Sequence, residues 1–165
     1  MPYQLFHDLL PTIAEAETRT ITVFGDQPET GLPPGQYVFY EMFCNERGCD
    51  CRRVFFHVVS SFRDGPEAVV AWGWETPEFY AKWLHDDDPN TIAELIGPSL
   101  NFGSPETELA DGILDLFRNV LLQDETYVDR VKRHYRQFRN KVDGWAKATR
   151  AKTESTKMKK RKRRA

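Results

Sequence analysis

The sequence predicts an α+β protein, because strand-like segments come first along the chain and helix-like segments follow them. β-branched and aromatic residues dominate several short segments before residue 75, and Pro and Gly separate these segments. After residue 75, a Thr, Asp or Ser followed by Pro repeatedly marks the start of a helix. The last third of the chain carries an apolar stripe at helical spacing.

The predicted sheet is an antiparallel meander of about four strands joined by short turns. Its strands are expected at residues 18–24, 36–44, 51–62 and 67–75, with a turn at 63–66. The segment 3–16 has the pattern of a short amphipathic helix that is interrupted at Pro11.

About four helices are predicted to follow the sheet. Thr76, Asp88, Ser104 and Asp124 are the expected N-caps, so the helices should span about 77–85, 89–97, 105–122 and 125–149. In the last helix the apolar residues are spaced by three or four positions: Val128, Val131, Tyr135, Phe138, Val142 and Trp145.

Charge divides the chain into two parts. Residues 150–165 contain nine Lys or Arg residues and one acid, a local charge of +8, whereas residues 1–149 carry 14 basic and 24 acidic residues. The sequence therefore predicts one α+β domain at 1–149 and a basic tail at 150–165 that is disordered or forms only a fraying helix.

Sequence composition also predicts the cell compartment of the protein. No apolar run approaches the roughly 18 residues that a membrane span needs, so no membrane partner is expected. The N-terminus lacks a basic start and an apolar stretch, and the number of cysteines is odd. These features predict a cytoplasmic protein with free or metal-bound thiols.

All three cysteines of the chain fall within eight residues, at Cys44, Cys49 and Cys51. If residues 45–48 form a four-residue turn, Cys44 and Cys49 face each other with Cβ atoms about 5 Å apart. Cys51 should share a strand face with Cys49. Three sulfurs can then converge on one metal ion, and zinc is the expected cofactor.

A closed structural zinc site needs a fourth ligand. His57 is unsuitable, because six residues of extended strand place it about 20 Å beyond Cys51. A turn centred on residues 64–65 would set Cys51 opposite Glu78 and His57 opposite Trp72, which brings the cysteines near the junction at 75–78. The fourth ligand could be His85, His7 or a water, or it could be absent.

Three functions are compatible with this cluster. A structural zinc site is the leading interpretation. The alternatives are a metal-dependent hydrolase or transferase with Glu75 or Glu78 as general base, and a thiol redox sensor. The explanation without a function is that three buried thiols merely pack as small apolar groups.

The C-terminal third is strongly cationic. Its last helix carries Arg130, Lys132, Arg133, Arg136 and Arg139 around the apolar stripe, and the tail adds Lys157, Lys159, Lys160, Arg161, Lys162, Arg163 and Arg164. Such a block can bind the phosphate backbone of RNA, ribosomes or DNA without reading sequence. A tail that only increases solubility is the alternative.

Two further patterns are better explained by structure than by binding. Trp72 and Trp74 could stack on nucleobases, although core packing between sheet and helix is the commoner role. The run 85–88, His-Asp-Asp-Asp, could hold a cation, but a helix end followed by an N-cap explains it more simply.

Residues 35–41, 44–54 and 125–135 resemble a group of uncharacterised bacterial proteins related to SEC-C motif-containing proteins. The SEC-C motif is a zinc knuckle in which Cys-x-Cys is followed by a Cys-Cys or Cys-His pair, and it is associated with translocation and ribosome-linked proteins. This chain lacks the second pair. The resemblance implies a bacterial source and metal binding by Cys44, Cys49 and Cys51.

Overall fold

A computed structural model describes residues 3–25 and 30–162, with the side chains of residues 145, 146, 161 and 162 excepted. Within these residues the chain forms one six-stranded antiparallel sheet and six α-helices, which confirms the predicted α+β class. No helix in the described part of the chain is both long and apolar enough to cross a lipid bilayer.

Four of the six strands lie close to their predicted positions. In chain order the strands are β1 Tyr3–Leu5, β2 Arg19–Val23, β3 Gly35–Cys44, β4 Arg53–Ser60, β5 Pro66–Gly73 and β6 Ser99–Leu100. β1 and β6 were not predicted, because three-residue and two-residue strands leave too few positions for an alternating pattern.

The helices differ more from expectation. They are α1 Phe6–Leu9, α2 Pro11–Glu17, α3 Pro77–Leu84, α4 Pro89–Ile96, α5 Ala110–Asn119 and α6 Glu125–Lys162, with a 3₁₀ turn at Leu121–Gln123. Thr76, Asp88 and Asp124 cap α3, α4 and α6 as predicted. Their side chains accept hydrogen bonds from main-chain N–H groups three residues later, at 3.2, 2.9 and 3.1 Å.

The predicted start of a helix at residue 105 is wrong. Thr107 instead ties this segment to the sheet, because its N–H donates to the Glu67 carbonyl and its hydroxyl to the Glu67 carboxylate, at 2.9 and 2.6 Å. These bonds hold the chain away from helical geometry until Ala110, where α5 begins.

Of the two states expected for the tail, disorder is wrong for residues 150–162, because α6 continues as helix through Lys162. Ala, Lys, Glu, Met and Arg, which have high helix propensity, dominate this stretch. The hydroxyl groups of Thr153 and Thr156 donate to carbonyls one turn earlier, at 2.9 Å each.

The sheet contains the predicted meander from β2 to β5, and β1 lies beside β2 along the same edge of β3. The strand order is β1-β3-β4-β5-β6. The predicted register between β4 and β5 is wrong, since His57 pairs with Val69 rather than Trp72. The turn is centred near residues 62 and 63 instead of 64 and 65, since Val59 pairs with Pro66, and the bulge at Val58/Val59 compensates for only one residue of this shift.

The two faces of the sheet are covered differently. The inner face, with Phe39, Phe43 and Phe56, packs against α5 and α6 and forms the main core. At the outer face α4 approaches so closely that a Cβ at Gly73 would lie 2.7 Å from the Leu95 carbonyl oxygen. Glycine is therefore required there.

Candidate metal centre

The three cysteine sulfurs converge at one end of the sheet. Cys44 is the last residue of β3, and Cys49 and Cys51 lie on the loop 45–52 that leads to β4. The three sulfurs lie within 4.8 Å of one another. Cys44 and Cys51 are fully buried and Cys49 is half-buried. The predicted convergence of the three thiols is therefore confirmed.

The backbone reaches this arrangement by a different route from the predicted hairpin. The ladder between β3 and β4 ends at the pair of Met42 with Phe55, so Cys49 lies on an eight-residue loop and does not face Cys44 across a ladder. The N–H of Cys49 donates to the Glu46 carbonyl at 3.3 Å. Positive φ angles of 72° at Gly48 and 48° at Arg52 turn the chain back toward Cys44.

Main-chain groups of the loop are directed at two of the sulfurs. The main-chain N–H groups of Glu46 and Arg53 lie near the sulfurs of Cys44 and Cys51, respectively, and act to lower the pKa of these thiols. Burial raises the pKa of both thiols, to about 12 for Cys51, and these two donors act in the opposite direction. Donors of this kind stabilise thiolates, which are the form of cysteine that binds metals.

Helix α6 holds the loop from the inner side. The Arg139 guanidinium donates to the carbonyls of Cys44 and Glu46 at 2.7 and 2.9 Å and pairs with Asp143 at 2.7 Å. The Asp143 carboxylate also accepts from the N–H of Gly48 at 3.0 Å. One turn earlier along the helix, the Tyr135 hydroxyl accepts from the main-chain N–H of residue 52 at 3.3 Å.

These contacts between α6 and the cysteine loop were not predicted, although the spacing of three residues on α6 is consistent with them. Tyr135, Arg139 and Asp143 are spaced four residues apart and therefore lie on one face of α6. The contact between this face and the cysteine loop is visible only in the folded chain.

Arg52 fastens the loop from the outer side. It forms a bidentate pair with Asp50, at 2.9 Å for both bonds, and a further bond to Glu75 at 3.0 Å. Its carbonyl accepts from the Tyr80 hydroxyl at 2.9 Å. The prediction that the cysteines lie near the junction at 75–78 is thus confirmed, with Glu75 rather than Glu78 as the neighbour.

Among the described residues, no histidine or carboxylate joins the cysteine cluster. His57 lies within the sheet opposite Tyr40 and Val69, and His7 packs edge-on against Tyr40. His85 is the C-cap of α3. Neither His7 nor His85 is the fourth ligand in this arrangement, and His57 lies outside the cluster as well.

Tyr3 is a neighbour of the cluster that the sequence did not indicate. β1 places Tyr3 directly opposite Cys44, and its phenol lies close enough to interact electrostatically with all three thiols. Burial is the main cause of the raised pKa of this phenol, and the thiols add to it.

Cys49 opens onto a groove between the loop and α6. The groove has a volume of about 420 Å³ and is lined by Asp50, Arg136, Arg139 and Asn140 among others. A neighbouring cleft of about 440 Å³ contains Trp74, Glu75 and Lys132. The cluster is therefore closed on the sides of Cys44 and Cys51 and open at Cys49.

The donor set fits a soft or borderline metal ion. In a tetrahedral zinc site with Zn–S bonds of about 2.3 Å, sulfurs lie about 3.8 Å apart. The observed limit of 4.8 Å differs from this value by about one ångström, which small side-chain rotations can supply. Three thiolates suit zinc and other thiophilic ions alike.

The predicted basic surface is only partly available. Arg130 binds the carbonyl of Glu17 and Arg133 binds its carboxylate. Arg139 is buried where α6 contacts the cysteine loop. Lys132 and Arg136 line the cleft beside Trp74. This face of α6 therefore serves mainly to attach the helix to the domain.

The tail cations lie on the final turns of α6. Lys157, Lys159 and Lys160 are exposed. Arg161 and Lys162 belong to the helix, but their side chains lie outside the described residues, and Arg163 and Arg164 lie outside them altogether.

The aromatic and acidic patterns have structural roles. Trp72 is buried against Phe117, and Trp74 packs against Trp72 and Tyr135. Asp88 caps α4, which confirms the expected role of the acidic run. The predicted apolar stripe of α6 is buried or half-buried through Val142, and the side chain of Trp145 lies outside the described residues.

A second polar cluster was not predicted. His134 is buried on α6 between two carboxylates, with Nδ1 2.8 Å from Glu41 and Nε2 2.6 Å from Glu17. Both carboxylates accept, so both ring nitrogens donate and the imidazolium is favoured. A lone histidine beside an apolar stripe gave no sign of these partners.

Comparison of the chain with protein-family models, with curated proteins and with solved structures gave no match. The resemblance to SEC-C-related proteins consequently stays a prediction from the sequence, and the function has to be argued from the site itself.

Proposed function

We propose that Cys44, Cys49 and Cys51 bind one zinc ion that stabilises the loop 45–52, and that the protein is a cytoplasmic protein with a structural zinc site. The convergence of three sulfurs within 4.8 Å carries this proposal. A structural role is supported by the surroundings, because the loop is fixed from both sides by hydrogen bonds to α6 and by Arg52.

We propose zinc because this ion binds to thiolate-rich sites and does not change its oxidation state. Arg139 supports the site indirectly. It fixes the carbonyls of Cys44 and Glu46, and thus the backbone of the first residues of the cysteine loop. The fourth position would be taken by a water or by a group beside Cys49, on the open side of the cluster.

Metal analysis of the purified protein tests this proposal. We expect about one zinc per chain, and three thiols that react with a thiol reagent only after chelation. Single Cys→Ser variants at the three positions should each lower the zinc content. Less than about 0.2 zinc per chain with three freely reacting thiols would contradict the proposal.

Cobalt substitution provides a sharper measurement. A tetrahedral site with three sulfur ligands gives intense sulfur-to-cobalt charge-transfer bands, and these bands should weaken in each Cys→Ser variant. Arg47→Gln is the matched control and should retain the bands, since Arg47 is exposed on the same loop and supplies no ligand to the cluster. Equal bands in all four variants would show that the cobalt binds elsewhere.

The catalytic alternative rests on the open side of Cys49. Its expected general bases are poorly placed, since Glu75 is held by Arg52 and Glu78 is exposed on the first turn of α3. The redox alternative is also less favoured, because burial raises the pKa of Cys44 and Cys51 and so reduces their thiolate fraction without a metal.

We further propose that the end of α6 contacts the backbone of RNA, ribosomes or DNA. Residues 147–160 are exposed and contain six Lys or Arg residues against one acid. No ion pair between described side chains engages these cations. The attraction should be independent of sequence and sensitive to salt.

Binding of a fluorescent single-stranded RNA at several salt concentrations tests this second proposal. A chain ending at Thr149 should lose most of the affinity and reduce the slope of log K against log salt. The matched control is Lys132→Gln with Arg136→Gln, which removes two cations from the cleft and keeps the helix end. Equal RNA binding by the truncated and the full chain would show that the tail does not contribute to binding.

A further inference from the structure

A cavity on the outer face of the sheet is used neither by the proposed zinc site nor by the basic helix end. Its volume is about 540 Å³, which lies within the range of small-molecule sites. Met42, Phe55 and Val69 form an apolar floor, and Asn101 and Ser104 lie at one side. The cavity thus combines an apolar surface with a few polar groups, as ligand sites do.

A buried cation lies beside the apolar floor. Arg53 is only 7% exposed, its Nε donates to the Leu95 carbonyl at 2.9 Å, and its guanidinium lies 5.1 Å from the centre of the Phe55 ring. No carboxylate in the described ranges forms an ion pair with it. The neighbouring Arg52, which is more exposed, has two carboxylate partners.

This contrast points to an anion from outside the chain. A buried charge without a counter-ion is costly, and a guanidinium satisfies two oxygens of a carboxylate at once. Because Nε is occupied by Leu95, the terminal nitrogens of Arg53 are the donors left for such a ligand.

We propose that this cavity binds a small carboxylate with an apolar body, with the carboxylate on Arg53 and the apolar body on Met42, Phe55 and Val69. His57 lines the same cavity. Burial lowers the pKa of His57, so near neutral pH it offers a hydrogen bond rather than a second positive charge. One charged group and a largely apolar floor thus favour a monoanion.

A second explanation for the buried Arg53 guanidinium competes with carboxylate binding. In this explanation, Arg53 balances the negative charge of the nearby thiolates. The two roles predict different consequences of removing the guanidinium. A counter-charge for the cysteines would change zinc content and leave the cavity's ligand preference unchanged. A ligand-binding cation would change carboxylate affinity.

Titration calorimetry with 4-phenylbutyrate as the probe, on the intact chain, tests the proposal. We expect saturable binding, and binding at least about tenfold weaker for the neutral 4-phenylbutanamide and for inorganic phosphate. Arg53→Met should weaken binding of the acid at least about tenfold, and Arg53→Lys should weaken it less. Arg118→Met is the matched control, because Arg118 is exposed and paired with Asp115.

Zinc content and circular dichroism are measured on the same samples. If Arg53→Met does not fold, Ser104→Trp narrows the cavity and leaves the cation in place, and it should also weaken binding. Three results overturn the proposal: no saturable binding up to about 10 mM, equal binding of acid and amide, or unchanged binding in whichever of Arg53→Met and Ser104→Trp is folded.

Discussion

Two polar junctions connect α6 to β3. Each centres on one positively charged side chain of α6, and this charge is balanced differently in the two junctions. At the first, His134 on α6 lies between the carboxylates of Glu41 and Glu17. At the second, Arg139, further along α6, donates to two main-chain carbonyls and to Asp143.

The first junction depends on a proton and the second does not. Burial acts to lower the pKa of His134, but hydrogen bonds and charges from Glu41 and Glu17 outweigh burial, so the pKa is raised. An arginine stays charged at every pH that a protein tolerates. The His134 junction should therefore set the pH dependence of the fold, and the Arg139 junction should set the stability of the cysteine loop.

The largest expected effect is at His134. In His134→Ala the Glu41 carboxylate, 5% exposed, loses its cation, and we expect the free energy of unfolding to fall by about 3–5 kcal/mol. Urea denaturation measures this change. Adding Glu41→Gln should restore part of the loss because it removes the buried charge, and a loss below about 1 kcal/mol for the single variant would contradict this view.

The next effect is expected at Arg139. Arg139→Met leaves the carbonyls of Cys44 and Glu46 without their donor, which should lower the free energy of unfolding by about 2–3 kcal/mol. Transfer of zinc to a chelator should also become faster. Lys141→Met, at an exposed position two residues further along α6, is the control, and equal zinc release from both variants would show that Arg139 does not support the proposed site.

The pH dependence provides a smaller effect. Since the pKa of His134 is raised, its contribution is complete below about pH 6.5 and is lost as pH rises through the folded-state pKa. The pKa of Glu17 is lowered, chiefly by its bond to His134, so its contribution is present above about pH 4.5 and is lost as pH falls further. The junction should be strongest between these values.

Urea denaturation across this pH range, in one metal state, measures the effect. Stability should decline above about pH 6.5 by about 1.4 kcal/mol for each unit by which the His134 pKa is raised. The decline should disappear in His134→Gln. The same decline in this variant would assign it to another group.

The smallest effect on stability is expected from the end of α6. Removal of residues 150–165 should change the free energy of unfolding by less than about 0.5 kcal/mol, because residues 150–160 are exposed. Thermal and urea denaturation of the chain ending at Thr149 measure this. A loss above about 1 kcal/mol would show that the helix end packs on the domain.

The order of elements was predictable because its signals are local. The Pro-marked starts of α3 and α4 and the β-branched segments of β2 to β5 act within a few residues, and the structure confirms them. The start of α5 was not predictable, since Thr107 is held by Glu67, 40 residues away in sequence. The register of β4 on β5 was missed because alternation alone does not fix the centre of the turn at residues 61–65.

The cysteine cluster was predicted for a partly wrong reason. Strand geometry suggested convergence, but the sulfurs meet because an eight-residue loop turns at Gly48 and Arg52. Proximity in sequence limited how far apart three thiols could lie, whatever the backbone between them.

Local sequence was enough to specify the α+β class, the strong segments of the meander and the gathering of three thiols, since each depends on neighbouring residues. Which charges have partners depends instead on the folded chain. Arg139 and His134 pair with β3 and the loop, more than 90 residues away, whereas Arg53 lies beside a cavity. Pairing of buried charges requires distances across the fold, and no local pattern records them.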